Sequence, residues 1–467
     1  MKKTTIITLM VLLTAVSGFS QNIAGAWNGM LEAAPGQKLR LVFNITESET
    51  GISATMDSPD QSAFGIPVSE ATFDGSKLTI TIKQAGIKYE GILTGDSITG
   101  TFRQMGAAFP MVLSKKAQKL EKPRRSQEPQ KPYPYVSEDV RFENKGAGIH
   151  LAGTLTLPDA KGKYPVVVLI SGSGPQNRDE ELMGHKPFLV LADHLTRNGI
   201  AVLRFDDRGT GASEGDFSKA TSFDFATDVK AAVDYLKNRK EIDPVSIGLM
   251  GHSEGGLIAP MVAAEHPDEI GFIVLLAGPG LPGSEIIMMQ QQLIGKASGM
   301  SDSELELAVN MNKQIFDLID EIDNPEELQK RVKELFQEII SENPEMVPEG
   351  METGQFIDMQ LGQLLSPWMK TFLTYDPVPA LKKVVCPVLA LIGENDLQVP
   401  PKENLKIIGE TLKNAGNKNV STIELQGLNH LFQESKTGLP AEYGQIEQTM
   451  SPDALNAITK WVKMQVK

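Results

Sequence analysis

The chain has 467 residues, with 59 acidic and 45 basic side chains, a formal net charge of -14, 41% hydrophobic residues and a single cysteine. That length exceeds one small module, and the apolar fraction is that of an ordinary globular protein, so wholesale disorder is excluded and two or three domains are expected. The lone Cys386 excludes a disulfide scaffold, and the acidic balance excludes a general nucleic-acid binder, which needs a basic footprint.

Residues 1–20 read as a secretory signal peptide. Lys2 and Lys3 give a basic start, Ile6 to Val16 is apolar apart from threonines, and Gly18 and Ser20 are small residues preceding a cut before Gln21. The apolar run is short for a bilayer span, and no later stretch approaches about 18 uninterrupted apolar residues. The expectation is an exported protein, periplasmic or extracellular, with no integral membrane span; an N-terminal anchor is the competing reading. No cysteine lies near the cut, so lipid attachment there is excluded.

Residues 21–114 read as an all-β domain. Leu39, Leu41, Phe43 and Ile45 alternate with mostly polar neighbours, as do Leu78, Ile80 and Ile82, the period of half-buried strands. Turn residues such as Asp74-Gly75 and Thr94-Gly95-Asp96 separate the runs, so a sandwich or barrel of about seven or eight strands is expected. This stretch holds no histidine, which favours a binding, spacer or structural role over chemistry. Residues 115–135 read as a Pro/Lys-rich linker: Lys115 to Pro134 carry seven basic and two acidic side chains and four prolines, a composition that stays extended and solvated.

Residues 136–467 alternate strands and helices. Val166 to Ile170, Ala201 to Phe205, Ile247 to Met250, Phe272 to Leu276 and Val388 to Ile392 are near-continuous apolar runs, the pattern of strands buried on both faces. Amphipathic segments such as Phe188 to Thr196 and Phe225 to Leu236 lie between them, so the class is α/β. About a hundred residues separate Ala277 from Val388, and Leu281 to Ala380 read as a helical cap inserted on the sheet.

The central motif is Gly251-His252-Ser253-Glu254-Gly255-Gly256, which follows an apolar strand and opens the helical run Leu257 to Ala264. A sharp strand-to-helix turn needs flanking glycines, lifts the serine hydroxyl above the sheet and sets it at a helix N-terminus. The pattern alone is weak, and Gly211-Ala212-Ser213-Glu214-Gly215 repeats it. A polar loop follows Ser213, so the elbow mechanics fail there and Ser253 is the expected nucleophile.

A serine hydroxyl needs a base, and the base needs an orienting carboxylate, in the chain order Ser, acid, His. Asp396 stands in the loop after Val388 to Ile392, with Glu394 as its rival nearer the strand end. His430 is the sole histidine after Asp396. The oxyanion donors expected are the backbone amides of Glu254 and of Ser173, the latter in the glycine-rich loop Ser171 to Asp179, with Gly174 as second choice.

The succession Ser171-Gly172-Ser173-Gly174-Pro175 with Arg178-Asp179, Asp206-Asp207-Arg208-Gly209-Thr210-Gly211, the Ser253 motif, Gly393-Glu394-Asn395-Asp396 and Asn429-His430 resembles the α/β-hydrolase superfamily. It is most similar to the serine-aminopeptidase-like branch that includes capped carboxylesterases, over roughly residues 136–467. The resemblance implies an eight-stranded, mostly parallel sheet with the second strand antiparallel. It implies Ser253, Asp396 and His430 as the triad, and Asp207, Arg208 and Ser213 as parts of a structural turn. Ser171 stands where related lipases and esterases often carry histidine, which leaves the second oxyanion donor open.

The other histidines show no metal-ligand spacing and no dinucleotide fingerprint occurs, so no metal and no cofactor are expected. His252 is expected to be buried beside the sheet. The cap holds eight methionines, which suit either an adaptable acyl pocket or a helical core. Ser301 to Gly350 carry 14 acidic and four basic residues, read as a solvated face or as a selector of a cationic substrate end. The expected activity is that of a secreted serine hydrolase cleaving small-molecule carboxylic esters through an acyl-enzyme on Ser253. The alternatives are an aminopeptidase-like serine peptidase and a non-catalytic envelope or carbohydrate binding protein with a vestigial hydrolase domain. The oligomeric state is left open.

Overall fold

The computed structural model describes residues 23–34, 37–48, 51–59, 63–104, 107–117, 125–347 and 351–466. The signal-peptide reading, on residues 1–20, lies outside them. The chain divides into two compact units, one comprising residues 1–120 with 347–351 and the other residues 121–346 with 352–467.

The first unit is a single antiparallel sheet of nine strands: β1 (Gly25–Ala34), β2 (Gln37–Ser48), β3 (Gly51–Ser58), β4 (Ala63–Pro67), β5 (Glu70–Phe73), β6 (Lys77–Ile82), β7 (Ile87–Thr94), β8 (Ser97–Gln104) and β9 (Ala107–Ser114). Their spatial order, β4-β3-β2-β1-β9-β8-β7-β6-β5, is an up-and-down meander in which the first strand pairs the last. Among the described residues the circuit is open between β4 and β5, where Val68 N–H donates to Ala54 O at 3.3 Å and Ser69 N–H to Thr81 O at 2.8 Å. Alternate side chains, among them Trp27, Phe43, Ile80, Tyr89 and Phe102, fill the interior, as the period-2 pleat requires. The strand count exceeds the seven or eight expected, and β4 and β5 are short strands that bury no side chain fully.

The second unit is built on an eight-stranded sheet: β10 (Val136–Asn144), β11 (Ile149–Leu157), β12 (Tyr164–Ile170), β13 (Ala201–Phe205), β14 (Ile242–His252), β15 (Phe272–Leu276), β16 (Val388–Gly393) and β17 (Val420–Leu425), ordered β10-β11-β13-β12-β14-β15-β16-β17. The sheet is mixed, which corrects the expectation of a mostly parallel one. The β10–β11 and β11–β13 pairings are antiparallel and the other five are parallel. The cause is local: β10 returns into β11 through a tight turn closed by Gly148 N–H to Asn144 O at 2.9 Å, and a two-strand hairpin can only be antiparallel.

Helices cover both faces. Val166, Val168 and Ile170 of β12 pack with α2 (Ser222–Lys237), α3 (Glu254–Glu265) and α10 (Pro401–Asn414) on one side. Val167 and Leu169 pack with α1 (Pro187–Arg197) and α12 (Pro452–Gln465) on the other. Each such side chain, removed fully from water, contributes about 1.5–3 kcal/mol, so the central strands form a rigid platform at whose C-terminal ends the site loops emerge.

The cap lies between β15 and β16 as α4 (Gly283–Ala297), α5 (Asp302–Glu321), α6 (Pro325–Glu342), α7 (Thr353–Leu364), α8 (Pro367–Thr374) and α9 (Val378–Leu381). Ser301 starts α5 with a capping box: its Oγ accepts Glu304 N–H at 3.3 Å while Glu304 Oε2 accepts the Ser301 N–H at 2.8 Å. The cap core is Ile, Leu, Val and Phe, including Ile315, Val332, Phe336 and Ile357. Of the eight cap methionines seven are half-buried and Met300 is exposed. The acidic residues described on α5 and α6 are exposed, as a solvated face requires.

The second half of the expected linker is not a free spacer. Arg125 donates to the carbonyls of Gly184, Ile446, Met183 and Gly444 at 3.1, 2.5, 3.2 and 2.9 Å. Gln127 donates to Met450 O at 2.7 Å and accepts the amides of Thr449 and Met450 at 2.6 and 3.1 Å. Composition counts Arg125 as a solvated charge, yet its fork donates to four loop carbonyls.

Candidate active site

Ser253 occupies the sharp junction between β14 and α3 with φ 52° and ψ -117°. A non-glycine residue there stores about 1–3 kcal/mol of backbone strain, tolerated when the surroundings over-determine it. They do so here through Ser253 N–H to Leu276 O and Gly256 N–H to Ser253 O, both 2.8 Å. The flanking glycines are a packing necessity. A Cβ on Gly251 would stand 1.9 Å from Gly255 O, and one on Gly255 would stand 2.2 Å from Ile170 O. Because α3 begins at Glu254, that residue's amide is one of the N–H groups left without an intrahelical partner.

Asp396 follows β16, and its Oδ1 accepts the amides of Gln398 and Val399 at 2.8 Å each. Its Oδ2 lies 2.8 Å from His430 Nδ1, with both side chains almost wholly buried. An acceptor at Nδ1 fixes the ring orientation and, in the neutral ring, leaves Nε2 as the basic nitrogen. The loop carrying His430 is held by Asn429, whose Oδ1 accepts the amides of Leu431 and Gln433 at 3.0 and 2.9 Å. Glu394 instead accepts Gly427 N–H at 2.9 Å, which ties two loops together and removes it from the pairing with His430.

The glycine-rich loop after β12 runs against the elbow. A Cβ on Gly172 would stand 3.3 Å from Ser253 Cβ. Gly172 N–H is committed to Glu180 Oε1 at 2.8 Å. Gly174 takes φ 95°, a turn open to glycine. Ser171 Oγ donates to Asp207 Oδ1 at 2.6 Å and Gln176 N–H to Asp207 Oδ2 at 2.9 Å. Burial, with the negative charges of Glu254 and Glu180, pushes the Asp207 carboxyl up to about 8 against its hydrogen bonds.

Glu254 faces away from solvent beneath the cap. It accepts Ser222 Oγ at 2.6 Å and the Trp368 Nε1–H of α8 at 2.9 and 3.0 Å on its two oxygens. Burial raises its carboxyl above the ordinary range, while Ser222, Trp368 and Ser173 donors oppose the rise. His252 is buried as expected, between Glu180 and the His430 carbonyl. These contacts to Glu180 and Trp368 were invisible in the sequence. Both depend on segments 72 and 114 residues away, and no spacing signals them.

The remaining motif residues build the frame. Arg178 forms a two-pronged pair with Asp206, Nε to Oδ1 at 3.0 Å and a terminal nitrogen to Oδ2 at 2.7 Å. Arg208 pairs similarly with Asp228 at 2.7 and 2.8 Å. The second Gly-x-Ser-x-Gly serine is structural: Ser213 Oγ donates to Asp206 O at 2.7 Å and accepts Ala152 N–H at 2.9 Å. Among the described residues no group of three or more His, Cys, Asp or Glu is placed to hold a metal ion.

The family model described as serine aminopeptidase, S33, matches residues 186–435. Esterase EstD of Thermotoga maritima is 27% identical over 326 residues, covering 69% of this chain and 68% of that protein. Among solved structures, the α/β hydrolase GrgF from Penicillium sp. sh18 is similar at 18% identity, with 71% of this chain and 99% of that one covered and a TM-score of 0.44. Est1E from Butyrivibrio proteoclasticus, solved with ferulic acid bound, is 21% identical, with 70% and 96% covered and a TM-score of 0.41.

Proposed function

The chain belongs to the serine aminopeptidase S33 family of α/β-hydrolases and is an esterase-like hydrolase, and from that premise we propose that it cleaves carboxylic esters through an acyl-enzyme on Ser253. The observation that carries this reading is the strained Ser253 elbow set beside a buried Asp396–His430 pair. In the mechanism, His430 Nε2 takes the Ser253 hydroxyl proton as Oγ attacks the ester carbonyl. The oxyanion is held by the amides of Glu254 and Ser173, with the α3 N-terminus adding to the favourable field. The imidazolium returns its proton to the leaving alcohol, and water activated by His430 releases the acid.

The small-molecule ester is drawn from the esterase name of the relative. The peptidase alternative requires cap carboxylates to hold a substrate amine, and those described on α5 and α6 point to solvent. Export is part of the proposal, on the strength of Lys2, Lys3 and the apolar run that follows them; N-terminal sequencing of the mature product beginning at Gln21 is the expected result.

The deciding assay offers nitrophenyl acyl esters alongside aminoacyl anilides, with Ser253→Ala as control. Ester turnover lost in the variant is expected. Faster anilide cleavage transfers the reading to the peptidase. If wild type and Ser253→Ala are equally inert, towards a fluorophosphonate probe as well, the catalytic reading fails.

A further inference from the structure

Next to Ser253 stands a buried histidine whose two ring nitrogens both face acceptors. His252 Nδ1 lies 2.9 Å from Glu180 Oε1, and Nε2 lies 3.0 Å from the backbone carbonyl of His430. A carbonyl oxygen only accepts, so Nε2 carries a hydrogen. An ionised carboxylate also only accepts, so Nδ1 carries one too, and a ring with both is the imidazolium.

Each end of this pair holds a different site loop. Glu180 Oε1 also accepts Gly172 N–H at 2.8 Å, which fixes the glycine-rich loop running against Ser253. His252 holds the main chain of His430 itself, with the two rings 4.8 Å apart. Glu180 sits at φ 50°, a strained conformation for a non-glycine residue, held in part by its own N–H donating to Asn177 O at 2.8 Å. The side chains of both partners are less than a tenth exposed.

We propose that Glu180 and His252 form a buried carboxylate–imidazolium pair whose role is positioning: it pins the oxyanion loop and the His430 loop to the Ser253 elbow. The proposal deepens the reading of Ser253 and His430 as nucleophile and base, and rests on it. Burial opposes the charge on His252, but Glu180, the His430 carbonyl and Asp396 outweigh it and hold the ring's pKa above the ordinary imidazole value. The groups facing the ring are Glu180, His430 and Asp396, with the Phe432 ring packed at 6.5 Å. The same pair with an unprotonated Nδ1 would set a lone pair against a carboxylate in a dry site, which is repulsive.

The test is nitrogen-15 NMR of the histidine rings of the wild-type protein at about pH 8, well above the unperturbed imidazole pKa. The expected result is one doubly protonated ring, whose signals vanish in His252→Gln; a neutral His252 ring overturns the proposal without touching the Ser253 reading. Function is read in Glu180→Gln, which keeps the shape and removes the charge. We expect kcat to fall about tenfold or more with KM nearly unchanged, since a displaced loop costs transition-state contacts first. The alkaline fall of kcat/KM is also expected to move to lower pH, because the carboxylate that holds the proton is gone. Wild-type kcat and an unmoved alkaline limb in Glu180→Gln overturn the positioning role. Fluorophosphonate labelling of wild-type Ser253 separates that outcome from failure of the esterase reading itself.

Discussion

Gly255→Ala isolates how much the proposed reaction depends on the fit between α3 and the loop after β12. The added Cβ would stand 2.2 Å from Ile170 O and 2.8 Å from both Ile170 C and Ser171 O. Carbon–oxygen contacts close to about 3.3 Å, so either the helix N-terminus or the loop must retreat by about 1 Å. Both carry a proposed oxyanion donor, Glu254 on one side and Ser173 on the other. A displacement of about 1 Å costs on the order of 10²-fold in rate, and overpacking against immovable backbone costs about 1–3 kcal/mol of stability. The assay is kcat and KM on a nitrophenyl ester together with thermal unfolding. The control is Gly362→Ala in α7, where a Cβ meets nothing within 4 Å and the backbone is helical. That variant is expected to keep full activity and gain about 0.5–1 kcal/mol. Kcat within threefold of wild type in Gly255→Ala refutes the claim that this contact sets the donor geometry.

Asp396→Asn keeps the shape of the pair but offers His430 an amide, which favours the wrong tautomer; kcat is expected to fall about 10³–10⁴-fold with KM little changed. Trp368→Phe keeps the stacking on Phe372 but removes both contacts to Glu254; a loss of about 1–3 kcal/mol is expected by denaturant unfolding. Asp207→Asn probes a carboxyl pushed up to about 8. A folded pKa raised above the unfolded value gives stability that is full below the unfolded value near 3.8 and lost as pH rises towards about 8. The melting temperature of Asp207→Asn relative to wild type should therefore climb between those limits and level off above them; a pH-independent difference contradicts the assignment.

The central strands were legible because burial on both faces leaves an unbroken apolar run: β12, β13, β15 and β16 coincide closely with Val166 to Ile170, Ala201 to Phe205, Phe272 to Leu276 and Val388 to Ile392. The hairpin of β10 and β11 was not read from its own residues. In strand β10 exposed residues alternate with half-buried or buried ones, but the inward set places Glu138 and Asn144 beside Val136, Val140 and Phe142, so the alternation is not an apolar one. Asp396 and His430 could be proposed from chain order alone, since each follows a recognisable strand. Glu180, Ser222 and Trp368 could not, because polar side chains acquire partners only when distant segments meet, and an Arg125 that clamps loops looks like any solvated cation.

Two carboxyl groups converge on one loop of the site. Ser171 to Gln176 is glycine-rich and has few side chains with which to fix itself, yet an oxyanion donor is useful only if preorganised. Glu180 and Asp207 supply the missing rigidity. Glu180 takes the Gly172 amide, and Asp207 takes the Ser171 hydroxyl and the Gln176 amide. Burial is the main reason that Asp207 and Glu254 are pushed towards their neutral forms, with the negative charges of Glu254 and Glu180 adding to it at Asp207. In the proposed pairing His252 is the counter-charge beside the nucleophile, and Glu180 ties it to that same loop.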